Sequence, residues 1–157
     1  MTAPLTESLQ DRYAPHNCCF GCGPANQRGL RIKSHVQGEE VVADFEPEEH
    51  HQAFGGVLSG GIIGTLLDCH SNWTAAHALM KERGIEQPPC TVTAEFTVKL
   101  RHPTPLDKVL RLRAKPVSVE GDRVVVESSL EADGKTTASC RGVFVAVKEG
   151  HPAYHRW

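Results

Sequence analysis

The chain has no excess of positive charge: 17 Lys and Arg stand against 19 Asp and Glu, a formal charge of -2 over 157 residues. That leaves no electrostatic footprint for nucleic acid and no polybasic signal for a membrane surface. Long hydrophobic runs are missing too. The longest, around Ile62 to Leu67, falls far short of the roughly 20 apolar residues that cross a bilayer. The opening segment MTAPLTESLQDRY is polar and mixed in charge, unlike a secretory signal. The six cysteines are irregularly spaced, which suits reduced thiols of a cytoplasmic protein better than a disulfide framework. No second cysteine pair follows Cys19-Phe20-Gly21-Cys22, and a structural zinc usually takes two such pairs. His16, Cys18, Cys19 and Cys22 are therefore read as a tight loop with buried thiols, and no metal is expected. That pair also lacks a following βαβ helix, which argues against a thioredoxin-type role. No HExxH pattern is present, so His50, His51, His70 and His77 are read as ordinary polar contacts. Internal repeats and low-complexity tracts are absent.

What the sequence does contain is one change of period. Residues 1–28 read as a leader, loosely held up to Pro15, and a Cys/Gly-rich loop; 29–150 as a single domain; 151–157 as a tail. LRIKSHV and EVVADFE read as two short strands with a turn at Gln37-Gly38, and PEEHHQAFGGVL as a loop. Then Ile62, Leu66, Cys69, Trp73, Ala76 and Met80 recur at helical spacing, and Ile63 and Leu67 widen the stripe into an almost buried helix. Ser59 is the expected N-cap, its hydroxyl accepting from first-turn amides. Gly84 is the expected C-cap, and Pro88-Pro89 forbid continuation. Beyond them the period falls to 2: Val92, Ala94, Phe96, Val98 and Leu100 alternate with Thr91, Thr93, Glu95, Thr97 and Lys99. VLRLRAK, RVVVESSLEA and TTASCRGVFVAV follow, with turns at Gly121-Asp122 and Asp133-Gly134. Four long strands in succession predict an antiparallel meander. With only one long helix, an alternating parallel α/β fold is excluded; an α+β fold, a sheet wrapped around a central helix, fits. Trp73 and Phe96 are expected in the core.

Two local rules are broken within LSGGIIGTLLD: glycines open a helix, and one carboxylate, Asp68, enters its apolar run. A first helical turn presents unpaired N–H groups and a partial positive charge, and glycines let a substrate oxygen approach them. Gly61, Gly64, Thr65, Asp68, Asn72 and Ala75 form one small or polar helical face. Residue types alone leave two readings open. Ser-Gly-Gly is either a cap with close packing or a carbonyl-polarising mouth. Asp68 is either tied to a hydroxyl or arginine, or a catalytic acid.

Four segments resemble the hotdog-fold acyl-CoA thioesterases, the phenylacetate-pathway type of the 4-hydroxybenzoyl-CoA thioesterase superfamily: CFGCGPANQRGLRI, HHQAFGGVLSGGIIGTLLD, TVTAEFTVKLRHPTPL and DGKTTASCRGVFVAV. The similarity runs from about Asn17 to Lys148. It implies a long helix enclosed by an antiparallel sheet, homodimers or dimers of dimers, and active sites at subunit interfaces. It also implies that Gly60 and Gly61 hold the thioester carbonyl through a backbone amide. Asp68 falls at the family's acidic position, as nucleophile or as general base toward water. Thr93 matches a water-positioning Ser or Thr, and Gln52 or His51 a polar side chain near the thioester. Ser59 and Asn72 are further candidates for the substrate groove. Ser59 departs from the family, standing where a His-Gly-Gly triplet has its histidine.

An acyl-CoA substrate needs basic contacts, for which Lys99, Arg101, Arg111, Arg113 and Arg141 are candidates and Arg101 is the position taken; alternating charge on a strand equally describes a solvated face. No cofactor beyond the coenzyme A of the substrate is expected. The alternatives are a non-catalytic acyl-CoA or small-molecule binding module, which the missing histidine motivates, and last a hotdog dehydratase, which would need that histidine.

Overall fold

Ser8 accepts from the Asp11 amide through its hydroxyl at 3.1 Å and so starts helix α1, Leu9–Tyr13. The computed structural model describes residues 7–157, so the first six residues of the expected leader lie outside the described residues. The rest of that leader is not loosely held, because Leu9 and Gln10 are buried. Gln10 exchanges two hydrogen bonds with Ser34, and the Leu9 amide donates to the Ser34 carbonyl.

The strand expected over Leu30–Val36 shrinks to β1, His35–Gln37. Arg31 takes φ 53°, which breaks an extended run, and the amides of Leu30 and Ile32 donate to Phe20 and Gly21 in the Cys/Gly loop instead. Gly38, at φ 65°, turns the chain into β2, Glu40–Phe45. The segment expected to be a plain loop carries a 3-10 turn, Glu49–His51, and a small hairpin of β3, Gln52–Phe54, and β4, Val57–Leu58.

Helix α2 spans Gly60–Arg83. Gly84 closes it at φ 62°, its amide donating to Met80 and Lys81 carbonyls, as the sequence predicts. Leu66, Leu67, Trp73, Ala75, Ala76 and Leu79 have no exposed surface. Each large apolar side chain among them contributes about 1.5–3 kcal/mol by leaving water. The four long strands follow: β5, Thr91–Leu100; β6, Leu110–Glu120; β7, Arg123–Ala132; β8, Lys135–Ala146. Asp133 and Gly134, at φ 49° and 77°, make the tight β7–β8 turn that an Asp-Gly pair favours.

The sheet is antiparallel, in the order β1-β2-β6-β7-β8-β5, and α2 packs against β5 through β8. The fold is therefore the expected α+β hotdog, but not a four-strand meander. Of the four long strands, only β6, β7 and β8 follow one another through tight turns. Among the described residues β5 pairs with β8 alone and forms one edge, because Arg101–Val109 carries the chain across to β6. That crossover braces the start of α2: Leu58 donates to Thr104, Leu106 donates to Gly56, and Val57 bridges Pro105.

Alternation in β5 also departs from expectation. A bulge between Thr93 and Glu95 shifts the register against β8. Thr93 pairs with the buried Phe144, and beyond the bulge Phe96, Val98 and Leu100 pair with Gly142, Cys140 and Ala138. Thr93 and the later apolar residues thus share the inner face instead of opposing one another. Phe96 is not core: it is 42 % exposed, and Leu100 59 %. Trp73 is fully buried as expected.

Candidate active site

Ser59 enters α2 with φ -61° and ψ 134°, the extended geometry of an N-cap residue, and its carbonyl accepts the first helical bond from Ile63 at 3.0 Å. Its hydroxyl, however, caps nothing, contrary to expectation. Among the described residues no side chain satisfies the first-turn amides, and Gly60 and Gly61 are exposed. These N–H groups, with the positive end of a 24-residue helix behind them, form an open donor site. An apolar hollow of about 290 Å³ adjoins it, walled by Phe54, Leu58, Ile63, Leu100, Pro103 and Arg101. A Cβ on Gly60 would sit 3.3 Å from Leu100 Cδ1, so glycine there keeps the mouth open against β5.

Asp68 is two helical turns further on. Its carboxylate Oδ1 accepts from the Thr93 hydroxyl at 2.6 Å, a short charge-assisted hydrogen bond across to β5. Thr93 faces the helix from its pairing opposite the buried Phe144, and the bulge after it keeps Phe96 on that same face. Burial raises the Asp68 carboxyl above the ordinary carboxylate value, and the Thr93 bond opposes that rise. The Cys19 charge adds to the rise, and the Arg156 charge opposes it. Arg156 comes from the C-terminal tail, which folds back: its Nη1 donates to the Thr91 carbonyl at 3.0 Å, and Trp157 stacks on Trp73 with ring centroids 4.5 Å apart. Nothing in the sequence pattern marks Arg156. A basic residue in a polar tail carries no periodicity signal, and only the fold brings it near Asp68.

The remaining candidates separate. His51 is buried with its ring against Phe45, and its Nδ1 accepts from the Glu48 amide at 3.0 Å. Its carbonyl accepts from the Ser59 amide at 2.9 Å, so it braces the start of α2 rather than lining an open groove. Burial and the neighbouring His50 push its imidazole down from the usual histidine value, favouring the neutral ring. Gln52 is exposed at the start of β3. Asn72 is buried, not open to substrate; its Nδ2 donates weakly to the Thr91 carbonyl at 3.4 Å. Arg101 is exposed at the rim of the hollow, its Nε donating to Ser139 Oγ at 3.1 Å. Of the candidates, Gly60, Gly61 and Arg101 therefore gather at the mouth, and Asp68 with Thr93 forms a second centre on the same helix. His70 and His77 make no joint site: His70 is enclosed between Ser34 and Val41 at 2.8 Å each.

Comparison with known proteins agrees with this architecture. The sequence profile of the thioesterase superfamily matches residues 55–139, from the β3–β4 turn into β8. A thioesterase superfamily protein from Shewanella loihica PV-4 is 31 % identical, over 80 % of this chain and 98 % of that one, with a TM-score of 0.66. The Escherichia coli PaaI protein from the phenylacetic acid degradation operon shares the fold at 16 % identity and a TM-score of 0.65, over 76 % and 81 % of the chains. A thioesterase from Haemophilus influenzae does so at 16 % identity and a TM-score of 0.67, over 78 % and 84 %. No curated protein matches the sequence. With the profile covering the helix start, Asp68 and the strands that hold it, the chain belongs to the thioesterase superfamily.

Proposed function

We propose that the protein hydrolyses an acyl-CoA thioester in a groove between two copies of the chain. The observation that carries this reading is the Asp68 carboxylate, oriented by Thr93 at 2.6 Å on the same helix stripe as the uncapped Gly60 and Gly61 amides. Eight residues of helix separate Gly60 from Asp68, about 12 Å along the axis, too far for both to act on one carbonyl. A second copy packed antiparallel along β5 removes the difficulty, setting the helix start of one chain beside Asp68 of the other. β5 supports such pairing: it is a ten-residue edge strand with Phe96 and Leu100 exposed on its inner face, and an uncovered edge of that kind favours a partner.

In this reading the amides polarise the thioester carbonyl and hold the oxyanion as it forms. Asp68 acts in one of two ways. As a base it takes a proton from water, whose oxygen bonds to the carbonyl carbon. As a nucleophile it bonds to that carbon itself, and water then cleaves the anhydride. Either way the C–S bond breaks, the thiolate of coenzyme A leaves and is protonated, and the free acid forms. Arg101, at the rim, suits a phosphate of the coenzyme.

Release of free thiol from short, medium and aromatic acyl-CoAs tests the proposal. Turnover of at least one class is expected, with Asp68→Asn lowering kcat by about 10²–10⁴-fold. Turnover of none, or an Asp68→Asn variant as fast as the wild type, rejects it. A second reading, a non-catalytic acyl-CoA binding module, is favoured by the idle Ser59 hydroxyl, at the position where the family resemblance implies a histidine. Saturable binding without thiol release would select it.

A further inference from the structure

Three thiols that are far apart in the sequence meet at the junction of the Cys/Gly loop and α2. The Sγ atoms of Cys19, Cys22 and Cys69 all lie within 4.8 Å of one another, with Cys19 and Cys69 at 3.9 Å. We propose that these three cysteines bind one zinc(II) ion, with a water molecule as the fourth ligand. The sequence expectation of no metal rested on the missing second ligand pair. Helix α2 supplies a third thiol from a position that no spacing motif connects to the loop.

The distances suit a metal. Two thiolates on one tetrahedral zinc, each bonded at about 2.3 Å, stand about 3.8 Å apart, close to the separation found here. A disulfide would need that pair to close to about 2.05 Å.

The surroundings are built for thiolates as well. Trp73 Nε1 donates to Cys22 Sγ at 3.4 Å. An N–H group turned onto sulfur stabilises the deprotonated form that a metal requires. The loop is pinned by the Cys19 amide on Asn17 Oδ1 at 2.8 Å and by the Gly23 amide on the Cys19 carbonyl at 2.9 Å. Gly21 has no room for a side chain: a Cβ there would lie 2.3 Å from Cys69 Sγ and 2.8 Å from Thr65 Cγ2. Glycine at that point is therefore what allows the loop sulfurs to reach the helix. Cys22 is buried, whereas Cys19 and Cys69 are half-buried, which leaves one side open for the water ligand. The exposed Cys18 lies outside the cluster. A bound ion would fasten the loop to the helix residue next to Asp68.

The test is metal binding by the reduced, chelator-treated full-length protein, read without any assay of activity. Cobalt(II) should produce thiolate-to-metal charge-transfer bands that one equivalent of zinc removes. X-ray absorption of the zinc form should show three sulfur neighbours at about 2.3 Å. Cys69→Ser and Cys22→Ser should each weaken zinc binding by more than the roughly 100-fold that loss of a supporting partner costs. Cys18→Ser should leave binding unchanged. Circular dichroism would show that each variant is folded, and Cys19→Ser, in the loop, serves if either of the others is not. Failure of the wild type to retain zinc, bands undiminished in Cys69→Ser, or a mapped disulfide among the three in zinc-free protein as purified would each overturn the assignment.

Discussion

Thr93 and Asp68 make the contact on which the proposed chemistry depends. The hydroxyl donates to Oδ1, and in the proposed mechanism Oδ2 is the oxygen that meets the reacting atom. A hydrogen bond to a charged group contributes about 1.5–3 kcal/mol, so Thr93→Val, which keeps the shape and removes the donor, should lower kcat by roughly 10–100-fold. Steady-state kinetics on the preferred acyl-CoA should show KM nearly unchanged. An equal loss spread into KM would mark Thr93 as a binding residue instead. At the helix start, Gly60 occupies the first helical position, and Ser59 before it already has the extended backbone that proline demands. Gly60→Pro therefore removes one amide donor with little disturbance to the helix. Gly60→Ala, which adds the same Cβ against Leu100 but keeps the amide, separates loss of the donor from narrowing of the mouth. A rate loss of about 10²–10³-fold is expected for Gly60→Pro if that amide holds the oxyanion. A Gly60→Pro enzyme that turns over normally would move the polarising role away from this amide.

At the scale of elements, α2 differs from an ordinary amphipathic helix because it buries polar groups as well as apolar ones. His70 is fully enclosed, with one ring nitrogen bonded to the Val41 carbonyl and the other to the Ser34 hydroxyl, which Gln10 of α1 also engages. Burial pushes the imidazole down to about 4 from an ordinary value of 6.5. The unfolded chain therefore binds a proton that the folded chain refuses. The resulting stability is fully present above pH 6.5 and is lost as pH falls from 6.5 toward 4. The loss should total about 3 kcal/mol from this residue. Denaturant melts of the wild type and His70→Gln across that range should show a steeper decline for the wild type. Parallel pH curves would place the acid sensitivity elsewhere. The β5 bulge belongs to this scale too. Strict alternation put Thr93 and Phe96 on opposite faces, and one extra residue put them on the same face.

For the whole molecule, the free edge of β5 and the spacing along α2 lead to one consequence. If the reacting groups come from two chains, assembly and activity are inseparable. Sedimentation velocity should find the wild type as a dimer or larger assembly. Phe96→Glu, a charge on the exposed inner face of β5, should yield monomers without thioesterase activity while the fold by circular dichroism stays intact. A fully active wild-type monomer would remove the shared-site arrangement.

The sequence by itself determined the long helix, the four long strands and the reactive residue types. The 3.6-residue period through Met80, the period of 2 beyond Pro89, and glycines where backbone must turn left-handed are local requirements, so they can be read from neighbours in the chain. The Ser-Gly-Gly start of α2 and the carboxylate within it were legible for the same reason: each breaks a local rule in plain view. Tertiary structure decided everything that depends on residues distant in sequence. It moved β5 to the edge beyond β8, buried Asn72 and His51, and left Phe96 exposed. It also brought Thr93 and Arg156 toward Asp68, and Cys69 toward Cys19 and Cys22. Strand order, a one-residue bulge and a tail folded back on a helix follow from which surfaces fit together once water is excluded, and no spacing along a single chain encodes that fit.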